Sequence, residues 1–108
     1  MMFDFLTETL DAEGFGILGF QKCAALALEQ GAKNTDNAAP YLLLAAAAEQ
    51  FVNLYEGQPL PTQVAEQEYK RFNGYVADLG EAFASGNENK QVAATNKVAA
   101  SIIDSKRA

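Results

Sequence analysis

The chain has 108 residues, 49% hydrophobic and 20% charged, with 14 acidic and 8 basic side chains, no histidine and one cysteine. That size fits one folded domain over 1–108 with a core of its own, and the apolar content excludes a disordered chain. The net charge of −6 repels phosphate backbones and anionic lipid, so direct nucleic-acid binding and membrane-surface binding are not expected.

Residues 3–12, FDFLTETLDA, place Phe3, Leu6 and Leu10 on one helical stripe. The segment 1–13 is predicted to be a short helical arm, or the first turn of the helix that follows. Met1, Met2, Phe3, Phe5 and Leu6 are too apolar for a free tail, so the arm is expected to dock, on its own chain or on a second copy. Gly14, Gly16 and Gly19 then loosen the backbone. A helix is predicted from about residue 15–17 to Gln30, with Gly31 as its stop and Ile17, Phe20, Ala24, Ala27 and Leu28 facing inward.

The cluster GAKNTDN at 31–37 is turn chemistry, and Asp36 or Asn37 can cap the next helix, with Pro40 in its first turn. That helix is predicted over 38–56, with Tyr41, Leu44, Ala48, Phe51 and Tyr55 at steps of three and four. Its first half is apolar nearly all round, which predicts the most enclosed helix of the bundle. Gly57 and the prolines at 59 and 61 end it and make a short connection, so its successor is expected to run antiparallel beside it.

The clearest signal lies in residues 61–86. Ala65, Tyr69, Phe72, Val76, Leu79 and Phe83 recur at steps of three and four. Gly74 and Gly80 stand beside this stripe, where close helix crossing would explain them. Ser85–Gly86–Asn87 ends this helix and can cap a last one over about 88–105. Val92, Thr95, Ala99, Ile102 and Ile103 give that helix a thin stripe, and Lys106 and Arg107 suit its C-terminal dipole. No segment alternates like a strand. The fold class that results is all-α, an up-down bundle of about four helices with a short N-terminal arm. Leu44, Phe51, Phe72, Val76, Leu79, Phe83, Ile17 and Phe20 are its expected core.

Few residues offer chemistry. The absence of histidine removes the commonest general base and the commonest transition-metal ligand. Gly14 to Gly19 match the G-x-G-x-x-G pattern of dinucleotide-binding turns, and Asp36 follows at a suitable distance. A polar, helix-like stretch precedes the glycines where that motif needs a strand, so a backbone joint or a close helix contact is the better reading. Glu8 with Asp11, and Asp78 with Glu81, share helix faces as a hard-cation site would need, but such spacing is ordinary for solvated surface acids. Glu66 and Lys70 have the spacing of a helix ion pair. Cys23, in an apolar helix, reads as a buried thiol. No catalytic residue, metal or cofactor is predicted.

Charge is uneven along the chain. Residues 1–86 hold 12 acidic and 4 basic side chains, a net −8, and residues 87–108 hold 2 and 4, a net +2. Asp4, Glu8, Asp11 and Glu13 come before the first basic residue, Lys22. The leading functional reading is a non-enzymatic protein–protein interaction module, a small adaptor, regulator or inhibitor, working through a helical, acidic surface. Phe3, Asp4, Phe5, Leu6, Glu8, Asp11, Glu13 and Tyr55 are the candidate partner-binding residues. Two other readings stand beside it: an acidic decoy of nucleic acid that blocks a basic site on a partner, and a helical carrier of a small apolar ligand. The expected partner is another protein, or a second copy in a homodimer. One unpaired cysteine, no basic leader and no apolar run of about 20 residues predict a cytoplasmic location.

Overall fold

Side chains that recur every three or four residues can be buried only along one side of a helix, and five segments of this chain satisfy that rule. The computed structural model describes residues 1–107, Arg107 by its backbone alone, so the charge expected at the Arg107 side chain and Ala108 lie outside the described residues. The helices are α1 (Asp4–Glu13), α2 (Ile17–Lys33), α3 (Ala38–Tyr55), α4 (Thr62–Ala84) and α5 (Glu88–Arg107), with a 3-10 turn at Thr35–Asn37. No strand occurs among the described residues. No helix among them is long and apolar enough to cross a membrane.

Helices α1 to α4 close a four-membered ring, each packed on the next and α4 back on α1. Helix α5 lies outside the ring against α3 and α4 and, among the described residues, touches neither α1 nor α2. Residue pairs give the directions. Leu6 meets Cys23 while Leu10 meets Gly19, and Phe20 meets Phe51 while Gly31 meets Tyr41. Thr7 meets Asn73 while Asp11 meets Tyr69, and Tyr75 meets Ser101 while Asp78 meets Lys97. Rising numbers on one helix meet falling numbers on its neighbour, so all four pairs are antiparallel.

The expected all-α bundle and short N-terminal helix are both present, but α1 and α5 exchange roles. The segment expected as an arm completes the bundle. Phe3, Leu6 and Leu10 are each 0% exposed and lie among the largest fully buried side chains. Three such residues contribute about 2–3 kcal/mol each, which a ten-residue helix needs because its length alone cannot hold it together. The last helix, expected within the ring, is the appended one.

Six of the eight expected core residues are buried, while Ile17 and Phe83 are partly buried against the core. Phe20 sits at the centre, stacked on Phe51 at 3.9 Å between centroids and edge-on to Phe72 at 5.5 Å. Thr95, Ala99 and Ile102 of the expected α5 stripe face inward, but its other two members do not. Val92 and Ile103 point to solvent, and Val98 with Ile102 makes the seal. Polar members complete that seam. Tyr75 and Ser101 share a hydrogen bond of 2.9 Å, and the Gln50 amide donates to the Ile102 carbonyl.

The glycines also depart from expectation. Helix α2 continues through Gly31 to Lys33, because Gly31 serves close packing and not termination. A Cβ there would stand 3.0 Å from that of Tyr41. Asn34 ends the helix instead, its backbone and side-chain N–H groups both donating to the Gln30 carbonyl. No side-chain cap bond forms at the start of α3, so neither Asp36 nor Asn37 acts as expected. Asn87 does cap α5, accepting from the Lys90 N–H at 3.1 Å. Gly57, at φ +77°, turns the chain out of α3. Gly80 receives the Met1 side chain, and Gly74 faces open space, so neither marks a helix crossing.

Cys23 is fully buried in the α1–α2 seam, its thiol donating to the Leu6 carbonyl at 3.3 Å. Burial pushes the thiol from 9.0 up to about 12. The folded state therefore holds the neutral thiol more tightly than the unfolded chain does. The resulting contribution to stability is complete below about pH 9 and declines as pH rises toward 12. Native protein is expected to leave Cys23 unalkylated by iodoacetamide at pH 8, with stoichiometric reaction in denaturant. Rapid labelling of the native form would show that α1 opens far more often than its packing allows.

Candidate functional site

Two surfaces need to be compared: the acidic stripe of α1, where most candidate residues lie, and the outer face of α2 and α3. On α1, the helical repeat that sends Phe3, Leu6 and Leu10 inward sends Asp4, Glu8 and Asp11 outward. Phe3 and Leu6 are therefore withdrawn from any partner surface. They are interior residues, because a helix this short keeps its shape only by burying them. Phe5 is half-buried beside Tyr41.

Most acids of the stripe have partners on their own chain. Asp4 pairs with the N-terminal ammonium at 2.7 Å, and Glu13 pairs with Lys22 at 2.8 Å. Asp11 accepts a hydrogen bond of 2.7 Å from the Tyr69 hydroxyl, and that bond raises the phenol above its usual range. Tyr69 is further held by Phe15, stacked on it at 4.0 Å. Glu8 is exposed. Such surface pairs contribute little stability, but they hold the carboxylates in fixed positions. Tyr55, the last residue of α3, is half-buried with its ring on Phe51. The structure does not bring it together with the α1 acids.

The α2–α3 face is built differently. Ala24, Ala27 and Gly31 on α2 oppose Tyr41, Ala45 and Ala48 on α3, so the two backbones approach closely and their outer edges form a shallow valley. Helix α3 carries a single charged residue, Glu49, in 18 positions. Its neighbours α2, α4 and α5 cover three sides and leave the fourth open. The expectation that α3 is the most enclosed helix therefore holds on three sides and fails on one.

On the open side Leu42 is 60% exposed, and on the adjoining edge of α2 Leu28 is 46% exposed. Leu28 was expected inside, but no helix lies over it. Between the two leucines is a cleft of about 280 Å³ lined by Ala27, Gly31, Ala32, Ala38, Ala39 and Tyr41, none of them charged. A second groove of about 360 Å³ continues past Leu28 toward Val52 and Asn53. A third, of about 450 Å³ with Leu54, Ile102 and Lys106 on its walls, follows the other edge of α3.

Neither leucine was chosen from the sequence. The signal available was the run from Asn37 to Ala48, which has no charge and too many apolar residues for one buried stripe. All three of these clefts are open to solvent. A dent beside Phe20, Phe51, Phe72 and Tyr75, with Glu68 and Arg71 on its walls, amounts to only about 10 Å³, the lower limit for one water. No cluster of three or more metal-ligating side chains occurs among the described residues.

No protein-family model, curated protein or solved structure matches the chain.

Proposed function

We propose that this protein is a non-enzymatic interaction module that binds another polypeptide through the outer face of α2 and α3. The observation that carries the reading is the pair Leu28 and Leu42, two large apolar side chains exposed beside an uncharged cleft. Exposed apolar relief with its charge kept at the rim is the usual composition of an interface centre. The lone thiol suits work in the reducing cytoplasm. Cys23 has no access to a substrate, and the chain has no histidine, so the side chains best suited to nucleophilic or general-base work are missing or sealed.

The acidic-decoy reading finds less support, since three of the four acids of the α1 stripe already have partners. The apolar-carrier reading finds only about 10 Å³ in the dent beside the aromatic rings of the core, and the larger clefts are open to solvent. A photo-reactive residue placed at Leu42, and separately at Lys70 on α4, tests the surface in cells of the native source. A covalent adduct is expected from position 42 and not from 70, and it should vanish on Leu28→Glu. Equal adducts from both positions, or none from 42, would dispose of the reading.

A further inference from the structure

We infer that α5 is a releasable latch. It leaves the four-helix ring as one unit while α1 to α4 stay folded, and so uncovers the strip of α3 and α4 that carries Gln50 and Tyr75. The inference does not depend on the α2–α3 face. Three features of the α5 seam support it.

The first is how little apolar surface holds the helix. Helix α5 has 20 residues, yet among the described residues Val98 and Ile102 are the only large apolar side chains it buries. The ten residues of α1 bury Leu6 and Leu10, with Phe3 just ahead of them. Gln91, Ala94, Thr95, Ser101 and Ser105 occupy the rest of the inner α5 stripe, all half-buried and all small or polar. A docked helix takes its stability chiefly from the apolar area it buries. For its length, α5 is therefore tied far more loosely than α1.

The second is that the ring keeps its core without α5. The rings of Phe20, Phe51 and Phe72 belong to α2, α3 and α4, and Phe3, Leu6 and Leu10 join α1 to the same core. Release strands no buried polar group. The Tyr75 hydroxyl and the Gln50 amide lose Ser101 and the Ile102 carbonyl, and water replaces both partners. The Asn87 cap on Lys90 travels with α5, so the helix can leave intact. Gly86, at φ +68°, supplies the hinge between α4 and that cap.

The third is charge. Residues 87–108 carry a net +2 and residues 1–86 a net −8. Each lysine of α5 stands by an acid of the ring. Lys97 pairs with Asp78 at 3.3 Å, Lys90 lines one cleft with Glu81, and Lys106 lines another with Glu49. All of these groups reach solvent, so salt weakens their attraction. Two apolar anchors and a screened attraction make a contact that opens more readily than the core.

Hydrogen exchange of the full chain, read by mass spectrometry of its peptides at about 0.05 and about 0.5 M salt, tests the inference. Amides across α5 should share one opening, at least about tenfold more frequent than that of α2 and α3. High salt should raise the α5 opening and leave α2 and α3 as they were. Val98→Ala should raise it by about tenfold, and Lys97→Gln by about two- to fivefold, neither altering α2 or α3. Lys97 lies at the surface, so its variant keeps the test open should the Val98 variant fail to fold. Exchange of α5 in step with α2 and α3 would overturn the inference. So would protection that decays smoothly along α5, which is fraying and not release, or an α5 opening indifferent to salt or to both substitutions. None of these results bears on the cross-link from position 42, so the two readings fail separately.

Discussion

Replacing Phe3 by alanine is expected to remove about 3–5 kcal/mol of folding stability, a large share of the marginal total of a domain this size. Phe3 is 0% exposed and meets two aromatic rings edge-on, Tyr41 at 5.1 Å and Phe83 at 6.0 Å. Each such pair adds about 0.5–1.5 kcal/mol beyond the area it buries. The residue also stands immediately before α1 and joins that helix to α3 and α4 at one end of the bundle. Phe3→Leu keeps most of the apolar burial but loses both ring pairs, so it should cost about 1–3 kcal/mol, less than the alanine variant. Urea midpoints of the three proteins give the comparison. If the alanine variant unfolds at the same urea concentration as the wild type, α1 is not part of the ring, and the packing described above is wrong.

The same residue shows where sequence reasoning stops. The stripe Phe3, Leu6, Leu10 states that one side of α1 must be covered, and nothing in a stripe names what covers it. An arm docked on a second copy and a helix closing its own bundle have identical periodicity. Length could have tipped the reading, because ten residues are too few for a stable isolated helix and three large apolar side chains demand a permanent neighbour. The long helices α3 and α4 were legible, since their repeats run for several turns and tight glycine and proline turns bound them. In α5 two stripes compete. Val92 and Ile103 lie on one, while Val98 and Ile102 lie on another whose remaining members are mostly polar. Hydrophobicity alone favours neither. Hydrogen bonds that join Tyr75 and Gln50 to α5 accompany the second, and a linear sequence gives no sign of them.

The candidate surface was illegible for the opposite reason. Apolar residues all round α3 read as enclosure, because burial is the usual fate of such a helix. The ring has room for neighbours on three sides of it, and the appended α5 takes a place beside α3 and α4 that leaves Leu42 in the open. Composition therefore overstates burial wherever a helix is more apolar than its set of neighbours can cover. That excess, on α3 and the adjoining edge of α2, is what the proposed binding face is built on.

One substitution made at two glycines should change stability in opposite directions. Both lie inside helices, where alanine in place of glycine is worth about 1 kcal/mol on propensity alone. At Gly74 a new Cβ meets nothing within 4 Å, so Gly74→Ala should keep most of that gain. At Gly19 the new Cβ would stand 2.5 Å from the Gly14 carbonyl oxygen and 3.2 Å from a Leu10 methyl. Neither neighbour can yield cheaply. Gly14 is fixed in a turn at φ +85°, and Leu10 is fully buried. The relief available is to push α1 away from α2, which strips packing from Phe3, Leu6 and Leu10. Overpacking of this kind costs about 1–3 kcal/mol, and the loss of α1 packing comes on top, so it outweighs the propensity gain. Each kcal/mol moves the melting temperature of a domain this size by about 4–8 °C. Gly74→Ala should therefore melt a few degrees above the wild type and Gly19→Ala several degrees below it. A Gly19→Ala protein as stable as the wild type would mean that the tight α1–α2 crossing is absent, and the seal over Cys23 with it.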